Sequence, residues 1–161
     1  MQVKKKIKQI TVIGDGGWGT TLALCLARKE LPVYLWGPFP QYITRLRKNR
    51  YNSKFLPGIR LPQPITPTDD LEKACADSEL IVFAVPSKFA ASILRQMKAA
   101  KVDFFNKIIL SVTKGIDTKT LQTPSEMIRE TFGNIDIAVL SGPTHRQGSG
   151  QQDPVECGNR Q

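Results

Sequence analysis

The chain has 161 residues, of which 40% are hydrophobic, and its formal net charge is +9. This length suits one domain with a substantial core. Apolar runs such as 22–27 are too short to cross a bilayer, and no cleavable signal follows the N-terminal lysines. Cys25, Cys75 and Cys157 have no metal-ligand spacing, so no metal site is expected and a reducing, cytoplasmic location is favoured.

The most informative motif is Gly14-x-Gly16-x-x-Gly19, which follows an apolar segment and precedes an apolar helical segment. Gly14 permits a tight turn, Gly16 lets backbone approach a pyrophosphate, and Gly19 allows the helix to pack closely. The helix would point its free N–H groups at the phosphates. The motif in this context predicts a site for NAD or NADP, and an ordinary strand-to-helix turn is the alternative.

Short apolar segments alternate with helical patterns along the chain. The continuous apolar run 81–85 is typical of a strand buried on both faces of a parallel sheet. The alternation predicts a doubly wound α/β domain with a mostly parallel Rossmann-type sheet. Prolines within 51–68 predict a long ordered loop or a strand at the sheet edge. Strands are predicted at 7–13, 33–36, 80–85, 107–112 and 135–140, and helices at 18–29, 41–49, 71–75, 89–99 and 124–132.

Positive charge is concentrated in the segment 31–68, which contains no Asp or Glu. A basic patch can bind nucleic acid, but neither a helix-turn-helix pattern nor an aromatic strand platform accompanies this one. A phosphorylated cofactor and a phosphorylated small substrate explain the charge, and no nucleic-acid partner is expected. The basic residues are Arg45, Arg47, Lys48, Arg50, Lys54 and Arg60.

Several further motifs occur in a fixed order, from the glycine turn through 35–37, 52–62, 84–87 and 113–115 to the Ser-Gly-Pro-Thr-His segment 141–145. Together they resemble the bacterial-type NAD(P)-dependent glycerol-3-phosphate dehydrogenases, and the resemblance covers residues 7–145. It implies hydride transfer between NAD(P)H and dihydroxyacetone phosphate to give sn-glycerol 3-phosphate, a precursor of phospholipids. A homo-oligomer is compatible with this resemblance.

The resemblance also implies roles for individual residues. Gly17 and Trp18 would touch the cofactor diphosphate, Pro86 and Phe89 would line the nicotinamide side, and Lys114 would stand between cofactor and substrate. Lys114 follows an apolar strand, at the sheet edge where open α/β sheets bind ligands. The expected cofactor-binding residues are Gly14, Gly16, Gly17, Trp18, Gly19, Pro86, Phe89 and Lys114, and the expected substrate-binding residues are Lys114, Gly142 and Thr144.

Two of these side chains have competing interpretations. Trp18 is equally compatible with a packing role. His145, the single histidine, could be taken for a general acid, but the family accepts other aromatic residues there, which favours a packing or cleft-lining role. No catalytic residue is therefore assigned within the chain.

Two departures from the family pattern affect the interpretation. The second strand ends in Trp36-Gly37-Pro38, without the acid that often binds the NAD ribose, and Pro38 replaces a frequent Arg. The basic segment favours NADP slightly. In addition, the polar tail 146–161 is predicted to be disordered and unrelated to the family, leaving 1–145 as the dinucleotide-binding domain. The family's helical domain, which carries a catalytic Lys and the phosphate-binding Arg-Asn pair, would be missing.

That second departure leads to the hypothesis of a truncated, catalytically impaired dehydrogenase. One alternative is a stand-alone dinucleotide-binding module without catalysis. Another is a β-hydroxyacid-type or ketopantoate-type dehydrogenase, which the segments 55–62 and 141–145 argue against. A poorly folding relic with exposed apolar surface is the last alternative.

Overall fold

The structure is a computed structural model that describes residues 7–142. These residues form an α/β domain with six strands and five helices. The strands are β1 (Ile10–Ile13), β2 (Val33–Trp36), β3 (Ile65–Thr68), β4 (Leu80–Phe83), β5 (Ile108–Ser111) and β6 (Asp136–Val139). The helices are α1 (Gly17–Ala27), α2 (Pro40–Asn49), α3 (Leu71–Ala76), α4 (Ser87–Ala99) and α5 (Pro124–Phe132).

The strand order is β3-β2-β1-β4-β5-β6, and every neighbouring pair is parallel. The chain winds outward from β1 to β3, then returns to the other side of β1 and winds outward again. Ile13, the last residue of β1, lies in register with Trp36 of β2 and Phe83 of β4. This strand order confirms the predicted doubly wound fold, in which ligands bind beyond the carboxyl ends of the strands where the winding reverses.

Two apolar clusters cover the two faces of the sheet. Alternating side chains of the central strands enter opposite clusters, as with Val82 in one and Phe83 in the other. Ile93 and Met97, which share one face of α4, are both buried as their spacing predicts. On α2, Ile43 and Leu46 are buried and Tyr42 is half-buried.

The predicted elements occur at the predicted places, with ends that differ by a few residues. Both β2 and α5 have the predicted bounds, and β1 is shorter because it begins at Ile10. The segment 51–68 contains an isolated antiparallel bridge between Tyr51 and Arg60, and it ends in the edge strand β3. Of the two alternatives for 51–68, the strand edge therefore describes its last part. No helix formed by residues 7–142 is long and apolar enough to cross a membrane.

Candidate dinucleotide-binding site

The glycine turn joins the carboxyl end of β1 to the beginning of α1. Gly14 has a φ of 117°, and a Cβ there would lie 2.6 Å from the main-chain oxygen of Ala84. A Cβ on Gly19 would lie 2.0 Å from the main-chain oxygen of Gly14. Both distances are shorter than a non-bonded carbon–oxygen contact allows. Glycine is therefore required at both positions, because the turn, β4 and α1 approach one another closely.

The N-terminus of α1 combines free backbone donors with open space. Gly16 is the N-cap residue, no side chain caps the helix, and its first turn carries no acidic residue. Nothing lies within 4 Å of the position that a Cβ on Gly16 would occupy. The first N–H groups of an α-helix lack partners within the helix and attract anions. The cofactor pyrophosphate therefore fits this end of the helix.

Apolar side chains are exposed where two helices begin at the same sheet edge. Trp18, in the first turn of α1, is 43% exposed, and Phe89, in the first turn of α4, is 51% exposed. Pro86 is the N-cap residue of α4 and is also exposed. Among the described residues Trp18 is therefore not a core residue, and its contact with the cofactor stays a prediction. Large exposed apolar surfaces of this kind are typical of ligand or protein contacts.

Lys114 lies just past the end of β5 and is held there by Thr113. The Thr113 hydroxyl donates to the main-chain oxygen of Val85, at 2.7 Å, so it ties the chain after β5 to the chain after β4. Lys114 Nζ donates to the main-chain oxygen of Gly142 at 2.9 Å. Both residues line a cavity of about 310 Å³ next to the N-terminus of α5. The structure therefore brings together two of the three expected substrate-binding residues.

The third of these residues, Thr144, lies outside the described residues. So do His145, Cys157 and the whole segment 146–161. The roles given to them, and the domain boundary at residue 145, stay predictions.

Asn52, in the segment 52–62, contacts the glycine turn although no role was predicted for it. It is fully buried, and its Nδ2 donates to the main-chain oxygen of Asp15 at 2.8 Å and to Thr20 Oγ1 at 2.6 Å. Its Oδ1 accepts a hydrogen bond from the Tyr42 hydroxyl at 2.6 Å. Asn52 therefore joins the glycine turn, α1 and α2 through a single side chain. Its position in the 52–62 motif was the available signal, but no periodicity distinguishes a buried asparagine from a loop residue.

Asp15, inside the glycine turn, is also buried. It is 6% exposed, and its Oδ2 is buried without a hydrogen-bond partner. Burial raises the pKa of this carboxyl group, while a backbone hydrogen bond at Asp15 and, to a smaller extent, the positive charge of Lys54 lower it. Burying a carboxylate oxygen without a hydrogen-bond partner costs free energy, which makes Asp15 a candidate ligand-binding residue.

Two arginines of the basic segment make structural contacts. Arg50 donates to the main-chain oxygens of Leu61, Pro62 and Ile65. Arg47 Nε donates to the main-chain oxygen of Pro67, and its guanidinium lies 3.4 Å from Asp69 Oδ1. Part of the positive charge that the sequence suggested for anion binding is therefore used to hold the chain around β3.

The doubly wound sheet, the close-packed glycine turn and the uncapped N-terminus of α1 define a dinucleotide-binding domain of the Rossmann class. Comparison with known proteins gives the family. The family described as NAD-dependent glycerol-3-phosphate dehydrogenase N-terminus matches residues 9–158. The chain belongs to this family of oxidoreductases, and its cofactor is NAD or NADP. The matched residues extend into the segment 146–161, which was predicted to be unrelated to the family.

Proteins similar to this chain are also named glycerol-3-phosphate dehydrogenases. The chain is 38% identical over 152 residues to glycerol-3-phosphate dehydrogenase (NAD(P)+) of Bacillus licheniformis, covering 91% of this chain and 43% of the relative. It is 40% identical over 143 residues to the enzyme of the same name from Geobacillus kaustophilus, covering 88% and 41%. The crystal structure of glycerol-3-phosphate dehydrogenase from Coxiella burnetii superposes with a TM-score of 0.78 at 29% identity, covering 84% and 41%. The chain thus spans less than half the length of the curated relatives it matches.

Proposed function

We propose that this chain binds the dinucleotide for a glycerol-3-phosphate dehydrogenase reaction. In that reaction a hydride from NAD(P)H adds to the carbonyl carbon of dihydroxyacetone phosphate and a proton adds to its oxygen, giving sn-glycerol 3-phosphate. The observation that carries the proposal is the uncapped N-terminus of α1 with open space at Gly16, placed where the winding of the sheet reverses.

In this proposal the glycine turn holds the pyrophosphate. Gly14 and Gly19 shape the turn, and Gly16, Gly17 and Trp18 contact the phosphates through the first turn of α1. The cofactor, when bound, supplies or accepts the hydride.

Exposed apolar surface at the start of α4 would receive the nicotinamide. Pro86 and Phe89 would cover one side of the ring and exclude water from it, which hydride transfer requires.

Lys114 would place a positive charge between the cofactor and the phosphorylated substrate. Its Nζ is already oriented by the hydrogen bond to the main-chain oxygen of Gly142, and both residues line the cavity beyond β5. An oriented ammonium group stabilises negative charge that develops on a reacting carbonyl oxygen. Gly142 and Thr144 would border the substrate.

The complete reaction is proposed for the whole protein. No residue among those described is assigned as the proton donor, and the chain covers 43% of the length of a typical relative. We therefore propose that the chain as given binds cofactor but reduces dihydroxyacetone phosphate slowly, because the carbonyl must be held and shielded on all sides. A cytoplasmic location and self-association are parts of the same proposal and rest on the sequence alone.

Gly16 offers a direct test of cofactor binding. Since a Cβ there would meet no protein atom within 4 Å outside its chain neighbours, we expect Gly16→Val to fill the proposed phosphate position and to leave the fold intact. Ala76→Val is the matched control, because Ala76 is exposed at the end of α3, shortly before the chain enters the amino end of β4. NADH titration by fluorescence should show saturable binding to the original chain and the control, and at least about tenfold weaker binding to Gly16→Val.

Failure of the original chain to bind either NADH or NADPH would contradict the proposed function. Oxidation of NADH that depends on dihydroxyacetone phosphate, followed in the same samples, separates the alternatives. Turnover at an ordinary enzyme rate would contradict catalytic impairment, and binding with no turnover would support the non-catalytic module.

A further inference from the structure

The turn residue Asp15 carries one carboxylate oxygen, Oδ2, that the protein itself does not satisfy. Its Oδ2 is buried and has no hydrogen-bond partner, although a charged group in such a place usually has one. Asp15 is 6% exposed, so water reaches little of it. The carboxyl group has a raised pKa because burial disfavours its charged form. In the unliganded protein, Oδ2 of Asp15 therefore lacks a hydrogen-bond donor.

The neighbouring side-chain donors are already used by other acceptors. The amide nitrogen of Asn52 donates to the main-chain oxygen of Asp15 and to Thr20, and the Tyr42 hydroxyl donates to Asn52. The Thr20 hydroxyl donates to the same main-chain oxygen of Asp15. None of these groups donates a hydrogen bond to Oδ2 of Asp15. A donor supplied by a ligand would satisfy Oδ2, and at the adjacent residue Gly16 a Cβ would meet no protein atom within 4 Å outside its chain neighbours.

The position of the carboxylate is informative. A Cβ on Gly37 would lie 2.5 Å from both the carboxyl carbon and Oδ2 of Asp15. Gly37 is the residue directly after β2. In many dinucleotide-binding domains an acid about 20 residues beyond the glycine motif, at this end of the second strand, binds the ribose hydroxyls of NAD. The Asp15 carboxylate thus lies where the side chain of residue 37 would begin.

We propose that Asp15 replaces the acid missing from the end of β2, binds the hydroxyls of the adenosine ribose, and makes this domain selective for NAD(H) over NADP(H). The two vicinal hydroxyls of that ribose are donors of the kind that the carboxylate lacks. The 2′-phosphate of NADP removes one donor and brings a dianion against the carboxylate. This inference rests on the proposed function, and it opposes the slight preference for NADP that the basic segment suggested.

Direct binding measurements test the selectivity without any turnover. Dissociation constants for NADH and NADPH are measured by calorimetry on the full chain, on Asp15→Asn and on Asp77→Asn. Asp77 is the matched control, since it ends α3 near the opposite edge of the sheet and accepts only an exposed hydrogen bond from Tyr34. We expect NADH to bind at least tenfold more tightly than NADPH to the original chain and to the control. Asp15→Asn should weaken NADH binding about tenfold and leave NADPH binding unchanged or stronger.

The possible failures are distinguishable. If the original chain binds neither nucleotide, the proposed function fails. If it binds NADH but Asp15→Asn leaves the ratio of the two dissociation constants unchanged, only the role of Asp15 is overturned. Tighter binding of NADPH than NADH by the original chain also overturns it. The melting temperature of each unliganded variant shows whether it is folded, and Asp15→Ser replaces Asp15→Asn if the latter is not.

Discussion

The side-chain amide of Asn52 donates a hydrogen bond of 2.8 Å to the main-chain oxygen of Asp15, and so fixes the glycine turn from a segment far along the chain. A second bond from the same nitrogen reaches Thr20 on α1. The turn is therefore positioned by the 52–62 segment as well as by β1 and α1. Backbone groups that must meet a pyrophosphate at hydrogen-bond distance benefit from such support.

Replacing Asn52 should loosen the glycine turn. In Asn52→Ala, the main-chain oxygen of Asp15, the Thr20 hydroxyl and the half-buried Tyr42 hydroxyl each lose a hydrogen bond, and we expect the free energy of unfolding to fall by about 2 to 3 kcal/mol. NADH affinity should fall as well, because the turn is less ordered. Urea unfolding and NADH titration measure the two effects. Asn49→Ala, at the exposed end of α2, is the control and should change neither. Unchanged stability of Asn52→Ala would show that the hydrogen bonds of the Asn52 side chain contribute nothing to the free energy of unfolding.

The packing of Gly37 against Asp15 can be tested by a double-mutant cycle. In Gly37→Ala, the new methyl group meets the Asp15 carboxyl at 2.5 Å and Ile43 Cδ1 at 2.9 Å. We expect a loss of about 1 to 3 kcal/mol of stability, typical of overpacking. Asp15→Ala should recover a large part of that loss, since it removes the nearer contact. Strictly additive effects in the double variant would mean that the two residues do not touch in solution.

The raised pKa of Asp15 predicts a pH dependence of stability in the unliganded protein. As the pH rises above 3.8, the ordinary value for Asp, the carboxyl of the unfolded chain loses its proton while that of the folded protein retains it. The folded state then binds more protons, so the contribution of Asp15 to stability falls with rising pH. Asp15→Asn should remove this contribution and show a flatter profile of urea midpoint against pH. Identical profiles for the two proteins would contradict a raised pKa.

Cys75 provides a test of whether the domain is stably folded. It is buried in the apolar cluster that contains Phe83 and Met97, and burial raises the pKa of its thiol to about 12. The thiolate is the reactive form, so iodoacetamide at pH 8 should not modify Cys75 in native buffer but should modify it in urea. Peptide mass spectrometry identifies the modified site. Rapid native modification would favour the poorly folding relic.

Sequence patterns predicted the central strands well because those strands consist mostly of large apolar residues. The run that became β4 has no polar interruption, and its burial on both faces requires none. The edge strand β3 escaped such prediction because Ile65 is its only large apolar residue and Pro67 lies within it. What makes β3 a strand is its pairing with β2, a tertiary contact that no local pattern contains.

The geometry around the site was predictable where glycine spacing or a recognised motif marked it, and ligand binding by these residues stays a prediction. Gly14 and Gly19 meet the steric demands that their spacing implied, and Lys114 meets Gly142. Asn52 and Asp15 were not predictable, because their roles depend on which groups surround them after folding. The sequence alone does not distinguish an aspartate with a buried, unpaired carboxylate oxygen from an aspartate in a solvated loop.

The arginines around β3 have a consequence for how copies of this protein can associate. Residues 65 and 67 turn their backbone groups away from β2, as shown by the bonds that 64 and 68 make toward it. Ile65 N donates to Pro62, its oxygen accepts from Arg50, Pro67 has no N–H, and its oxygen accepts from Arg47. A strand from another molecule would therefore meet no free N–H group at residues 65 and 67, and both carbonyl oxygens already accept a hydrogen bond. This side of the sheet is closed to the edge-to-edge growth that leads to aggregates, and it is closed by the same cations that make the protein basic.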